Sequence, residues 1–304
     1  MDKRYDVIVI GAGPAGMTAA IYAKRAGLDV AMLEYNAPGG KMVKTFEIEN
    51  YPSFININGA DLSYKMFEQT QALGAEYLYG DVVDLIDGDV KTIITEDGSE
   101  YKASVVIIAT GTKERLLNIP GEEKFTSKGV SYCAVCDGAF FKDKTVVVIG
   151  GGNSALEESL YLAQFVKKLY VVIRRDVFRA DELVQEKVME NPKIEIIKKH
   201  IPIEILGDDK VNGIILENVD TKERVTLETD GIFPYIGADP NTSFVKDLGI
   251  TDENGYILVN EEMETDIKGI YGAGDCNVKT LRQIVTATSD GAIAAQNAFH
   301  YIKG

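Results

Sequence analysis

One plan is written twice in this chain of 304 residues. Residues 5–34 run as an apolar strand (Val7-Ile8-Val9-Ile10), a glycine turn, an alanine-rich helix (Ala19 to Ala26), a stop at Gly27 and a second strand, Val30 to Leu33, ending at Glu34. Residues 145–175 repeat it: strand Val146-Val147-Val148-Ile149, glycine turn, helix Ala155 to Phe165, strand Leu169 to Ile173, then Arg174-Arg175. A strand that is apolar at every position needs cover on both faces, and alternation with helices supplies it in a parallel sheet. The repeat therefore predicts an α/β chain with two such units. The length is sufficient for two domains, each with its own core.

The turns carry the chemistry. Gly11-Ala12-Gly13-Pro14-Ala15-Gly16 reads G-x-G-x-x-G between a strand and a helix. The first glycine permits the tight turn, the second lets a pyrophosphate approach the backbone, and the third lets helix and strand pack closely. The helix N-terminus then offers free amides and the positive end of its dipole to that pyrophosphate. Glu34 lies 23 positions after Gly11, at the strand end where a carboxylate binds ribose hydroxyls. Both units thus read as Rossmann-like dinucleotide-binding elements.

The second turn, Gly150-Gly151-Gly152-Asn153-Ser154-Ala155, reads G-x-G-x-x-A, and Arg174 lies 24 positions after Gly150, in the place of Glu34. A carboxylate there repels a 2′-phosphate, whereas a guanidinium pairs with it bidentately. The first site is therefore expected to take a dinucleotide with free ribose hydroxyls, and the second to prefer NADPH to NADH. Arg179 can complete the phosphate clamp. The competing reading is a solvated charge run, since Asp176, Asp181 and Glu182 lie close by in sequence.

Each unit is followed by short strands. Tyr77 to Val83, Val90 to Thr95 and Val105 to Ala109 are separated by the hairpin signals Asp87-Gly88 and Asp97-Gly98. Ile194 to Lys198, Val211 to Leu216 and Val225 to Leu227 repeat the pattern, with a turn at Gly207-Asp208-Asp209. Accessory β-meanders are therefore expected beside both parallel sheets. Helical periodicity marks Ile284 to Tyr301 as the last helix.

Two of the three cysteines, Cys133 and Cys136, are spaced C-x-x-C and followed by Asp137. The spacing lets two sulfurs close a ring and lowers the pKa of one thiol. Asp137 stands where it can exchange a proton with a leaving thiolate. A structural pair and an incidental spacing are the alternatives; redox use is favoured by the place directly before a nucleotide unit. Cys276 reads as a small apolar residue in a tight turn. With the two histidines, His200 and His300, remote in sequence, no zinc set forms, and no metal is expected. The net charge of −15 opposes a nucleic-acid partner. No apolar run reaches the ~18 residues of a membrane span. The N-terminus enters a strand without a signal-peptide core, so a cytoplasmic location is expected.

With these residues in place, the chain resembles the low-molecular-weight thioredoxin reductases, homodimeric FAD enzymes that use NADPH. The resemblance spans essentially the whole chain. It is carried by the first fingerprint, Pro38-Gly39-Gly40, Glu49-Asn50-Tyr51-Pro52, Ala109-Thr110-Gly111, Cys133-Ala134-Val135-Cys136-Asp137-Gly138, the second fingerprint, Arg174-Arg175 with Arg179, Gly274-Asp275 and Leu281-Arg282-Gln283. It implies that Gly11, Gly13, Gly16, Glu34, Gly39, Gly40 and Asn50 hold FAD, with Asp275, Arg282 and Gln283 closing over it. The candidate cofactor set further includes Pro14, Ala15, Lys41, Val83, Thr110, Gly111, Gly274 and Ile284. Around the second turn it includes Gly150, Gly152, Asn153, Ser154, Ala155, Arg174, Arg175 and Arg179.

The resemblance also implies that Cys136 faces the flavin, that Cys133 attacks the disulfide of thioredoxin, and that Asp137 supplies the proton. It implies an FAD domain built from residues 1–113 and 243–304, with an NADPH domain, 114–242, inserted and able to rotate about Gly111-Thr112 and Gly237 to Pro240. Two positions depart from the family pattern: Ile173 replaces the usual His before the arginines, and Lys41 replaces the usual Gln after the paired glycines. The competing readings are a flavin-dithiol reductase fed by NADH or ferredoxin or serving another small disulfide, the flavoprotein of a peroxide-reducing system, and a nucleotide-binding sensor with an idle dithiol.

Overall fold

The computed structural model describes residues 3–45 and 48–304, with the side chains of Lys44, Val135 and Cys136 outside the described set. The chain divides into two compact units, Met1–Lys113 with Asp239–Gly304, and Glu114–Ala238.

In the first unit, strands Glu76–Tyr79, Val30–Glu34, Arg4–Ile10, Glu100–Ile108 and Ile270–Gly272 lie side by side in parallel. Glu100–Ile108 serves two neighbours on one edge. Its later half pairs with Ile270–Gly272, and its earlier half pairs antiparallel with Lys91–Thr95, which pairs in turn with Val82–Ile86. Strand alternation sorts the apolar residues onto two faces. Val7, Val9, Val30, Met32, Val105 and Ile107 pack under the helices Pro14–Arg25, Gly59–Ala72 and Ile284–Lys303. Ile8, Ile10, Leu33, Val106 and Ile108 pack against Leu85 and Ile93 of the hairpin. The continuous apolar runs are explained by these two covers, each buried aliphatic side chain contributing about 1.5–3 kcal/mol.

The second unit repeats the layering. Strands Ile194–Lys198, Lys168–Ile173, Thr145–Ile149 and Gly231–Pro234 are parallel. Val146, Val148, Leu169 and Val171 face Leu156, Leu162 and Val188 of the helices Asn153–Ala163 and Glu182–Glu190. Val147, Ile149, Val172 and Ile232 face Ile205, Ile214 and Leu216 of an antiparallel meander, His200–Gly207, Val211–Asn218 and Arg224–Glu228.

Four local expectations change. Ile194–Lys198, expected in the accessory meander, joins the parallel sheet beside Lys168–Ile173, and His200–Gly207 takes the meander place. Tyr77 to Val83 is two strands, because the chain changes partners at its middle. Gly80 N still donates to Glu34 O (3.1 Å), whereas Asp81 O already accepts from Glu96 N (2.8 Å) beyond the hairpin. The first helix starts at Pro14, whose missing N–H is harmless at the first helical position. Helix Gly59–Ala72 was not foreseen. Among the described residues no helix is long and apolar enough to cross a membrane.

Candidate functional site

The first glycine turn is built by contact. A Cβ on Gly11 would stand 2.4 Å from the Ala109 carbonyl oxygen, and one on Gly16 would stand 1.9 Å from Gly11 O. Neither position tolerates a side chain. At Gly13, by contrast, no atom lies within 4 Å of the Cβ position, so the backbone is open at the start of helix Pro14–Arg25. Ala15 is buried behind it. Glu34 closes the far side: Oε2 accepts from Ala12 N (2.9 Å), and Oε1 accepts from Tyr35 N (3.0 Å) and Asn36 N (2.9 Å).

Other candidates gather around this turn. Gly39 N donates to Ala12 O (2.8 Å), which sets Gly40 against Gly13. Lys41 Nζ donates to Thr112 Oγ1 (2.7 Å), and Asn50 Nδ2 donates to Gln283 Oε1 (3.0 Å). Gln283 caps helix Ile284–Lys303 in a capping box with Thr286, and Ile284 begins that helix. Arg282 Nε donates to Asp275 O (3.3 Å) while its guanidinium covers the Tyr256 ring at 4.4 Å. Burial pushes the Asp275 carboxyl up, opposed by the charges of Lys41, Lys279 and Arg282. Gly274 N donates to Asp290 Oδ2 (2.9 Å), which also holds Lys279 Nζ (2.5 Å). Beside Gly111, the buried Thr110 hydroxyl faces the thiol of Cys276. Val83 is exposed at a bulge of the hairpin, three residues beyond Gly80, whose amide donates to Glu34 O (3.1 Å).

An open glycine backbone at a helix start and a strand-end carboxylate together fit a bound dinucleotide such as FAD. Cys276 is free and fully buried, its thiol pushed up to about 11 by burial, so it is no nucleophile.

The second turn repeats the design in the other unit. A Cβ on Gly150 would stand 2.1 Å from Tyr235 O, whereas no atom lies within 4 Å of that position at Gly152. Ala155 is buried and Ser154 exposed. Asn153 Oδ1 accepts from Asp181 N (2.7 Å), and Arg179 N donates to Gly151 O (2.7 Å), which brings the arginine loop to the turn. Arg174, Arg175 and Arg179 are exposed. Asp176 is paired with Lys199 (3.2 Å) and Asp181 with Asn153, so these neighbouring acids are engaged away from the arginines. Ile173 points into the core, 3% exposed, beneath Gly151.

Cys133 is disulfide-bonded, and it precedes one helical turn, Ala134–Asp137, in which Asp137 N donates to Cys133 O (3.1 Å). The side chain of Cys136 lies outside the described residues. The chain before this turn is tied down residue by residue. Ser131 Oγ accepts from Cys133 N (3.1 Å), and Tyr132 Oη donates to Glu122 Oε1 (2.6 Å). Glu122, 4% exposed, also accepts from Leu117 N (2.7 Å) and Asn118 N (2.6 Å). Ala134 N donates to Tyr235 Oη (3.1 Å). Burial pushes both tyrosine hydroxyls well above the usual range, so both stay neutral. Burial, with the charge of Glu157, raises the Glu158 carboxyl to about 7. Sequence reasoning missed Glu122, Tyr235, Lys279 and Asp290. Glu122 has local partners in Leu117 and Asn118, but its bond to Tyr132 and the bonds of Tyr235, Lys279 and Asp290 reach 10 to 101 positions along the chain, beyond any local pattern. Among the described residues no group of His, Cys, Asp and Glu could hold a metal.

Two dinucleotide turns and a disulfide in one chain define a class of flavin-linked reductase, and the family comparison names it. The model of the pyridine nucleotide-disulphide oxidoreductase family matches residues 5–291, and the chain belongs to that family. It is 50% identical over 304 residues to a thioredoxin reductase of Listeria innocua, covering 99% of this chain and 95% of that one. It is 49% identical over 303 residues to a thioredoxin reductase of Bacillus subtilis, covering 99% and 96%. Among solved structures it is similar to thioredoxin reductase of Lactococcus lactis, with 49% identity, a TM-score of 0.96, and 98% and 99% of the two chains covered.

Proposed function

We propose that this protein reduces the disulfide of thioredoxin, or of a similar small dithiol protein, with NADPH as donor, FAD as resident cofactor and Cys133–Cys136 as the exchanging pair. The observation that carries the reading is the disulfide-bonded Cys133, held at the start of a helical turn within the unit that contains the second nucleotide turn. In this reading residues 1–113 and 243–304 form the FAD domain, and 114–242 form the NADPH domain. Gly11, Gly13, Pro14, Ala15, Gly16 and Glu34 hold the dinucleotide end of FAD, with Gly39, Gly40, Lys41, Asn50, Thr110, Gly111, Gly274, Asp275, Arg282, Gln283 and Ile284 around it. Gly150, Gly152, Asn153, Ser154 and Ala155 hold the pyrophosphate of NADPH, and Arg174, Arg175 and Arg179 its 2′-phosphate.

FAD, when bound, supplies a two-electron relay between nicotinamide and disulfide. The protein's own sulfur chemistry follows from exchange through a thiolate. Cys133, reduced, attacks a sulfur of the acceptor disulfide. Cys136 then displaces the reduced acceptor and restores the internal bond. Asp137 returns a proton to the leaving thiolate. Homodimerisation and a cytoplasmic location belong to the same proposal, and the net charge of −15 accords with no nucleic-acid partner.

The test is Cys136→Ser in FAD-loaded protein. Flavin bleaching by NADPH should persist while thioredoxin reduction is lost. Normal thioredoxin turnover by the variant would refute the sulfur pathway. Wild-type protein that turns over with NADH or reduced ferredoxin but not NADPH would move the donor assignment to the competing reading.

A further inference from the structure

We propose that Tyr235 is a positioning residue for the dithiol, its hydroxyl oxygen fixing the Cys133 turn from the residue that also pins the second nucleotide turn. Ala134 is the first residue of the turn after Cys133, and the first amides of a helix have no acceptor within it. Its N–H finds one 101 positions away, the Tyr235 oxygen at 3.1 Å. Ala134 is 1% exposed, so water does not replace that acceptor. Removing it would leave a buried donor unpaired, which costs more than a hydrogen bond exchanged with solvent.

The backbone of Tyr235 is fixed independently. Its N–H donates to Ile149 O at 2.7 Å. Its carbonyl oxygen occupies the space where a Cβ on Gly150 would stand, at 2.1 Å. One residue thus bonds the end of strand Thr145–Ile149 through its backbone and the redox turn through its hydroxyl. The phenol stays protonated: burial raises it, the charges of Glu158, Glu114 and Asp137 raise it further, and only the Ala134 amide opposes them. A neutral hydroxyl is therefore present as acceptor whenever the dithiol reacts. The sulfur that must meet a protein disulfide in line sits on a turn whose freedom this contact limits, and small misplacements of a nucleophile are costly.

The inference rests on the dithiol reductase reading, and the experiment separates the two. FAD-loaded wild type and Tyr235→Phe are each reduced with NADPH and mixed with oxidised thioredoxin in a single turnover. The variant's saturating rate should fall about three- to tenfold, the range of one net hydrogen bond, with the half-saturating thioredoxin concentration unchanged. Because Phe keeps the backbone that meets Gly150 and Ile149 and removes only the hydroxyl, its rate from NADPH to ferricyanide should remain that of wild type. An unchanged thioredoxin rate overturns the proposal, and so does an equal loss in both branches, which is what a purely structural role produces. A wild type active with ferricyanide but inert toward thioredoxin overturns the reductase reading itself, and this inference with it.

Discussion

Glu34 Oε2 accepts the amide of Ala12 at 2.9 Å, so the carboxylate that ends the second strand also holds the first glycine turn in shape. Its other oxygen accepts from Tyr35 N and Asn36 N. All three bonds are charge-assisted and the side chain is buried, which makes them stronger than neutral ones. Glu34→Gln places an amide NH2 against at least one backbone N–H. The variant should lose about 2–4 kcal/mol in urea unfolding of the cofactor-free protein. A loss within experimental error would show that the turn keeps its shape without the carboxylate.

Lys279 and Asp290 form a partly buried pair whose carboxylate oxygen also accepts Gly274 N. Asp290→Ala leaves an ammonium and an amide without their acceptor and should cost about 3–5 kcal/mol. Lys279→Met should be damaging as well. The double variant Lys279→Met/Asp290→Leu should be less damaging than the sum of the singles, since it strands no charge. Additive losses in a denaturant double-mutant cycle would contradict this pairing.

The two nucleotide turns were legible because their logic is local. Gly11, Gly16 and Gly150 meet backbone oxygens contributed by or adjacent to neighbouring strands, and the G-x-G spacing records that contact. The C-x-x-C spacing of Cys133 and Cys136 is local in the same way, and Cys133 is disulfide-bonded. Tyr77 to Val83 misled because apolar residues do not report which strand they pair with, and the partner changes beyond Tyr79. Helix Gly59–Ala72 buries Gly59, Leu62, Ser63, Met66 and Thr70, a narrow stripe in which only Leu62 and Met66 are large and apolar. Its signal was the cap: Asn58 accepts from Ala60 N at 2.9 Å, just ahead of that stripe. The supports of the site, Glu122 under Tyr132 and Tyr235 under Ala134, are tertiary contacts that leave no spacing rule behind.

The arginine pair gives a sharper test of the nucleotide assignment. Arg174 and Arg175 are exposed, and Asp176 pairs with Lys199 instead. Replacing both with Ala removes positive charge where a 2′-phosphate would sit, without emptying a core position. KM for NADPH should rise at least about tenfold, as expected for losing charge-assisted contacts to phosphate, while KM for NADH changes little. The NADPH effect should shrink as ionic strength rises. Equal changes for both nucleotides would place the 2′-phosphate elsewhere.

Glu158 predicts a pH dependence whose sign follows from burial. Its carboxyl lies partly buried beside Glu157, near Tyr161 and Tyr235, and its pKa is raised from 4.5 to about 7 in the folded protein. The folded state therefore holds a proton that the unfolded chain has released between those values. Stability tied to this group is complete below the unfolded pKa and is lost as pH rises through the folded one, by about 3 kcal/mol at 1.36 kcal/mol per unit. Glu158→Gln keeps the neutral form at every pH. The variant should match wild type in urea unfolding at pH 4 and exceed it at pH 8, with the gap opening across pH 5 to 7. Parallel curves for the two proteins over that range would mean that the carboxylate is solvated in the folded state, and that its burial carries no penalty.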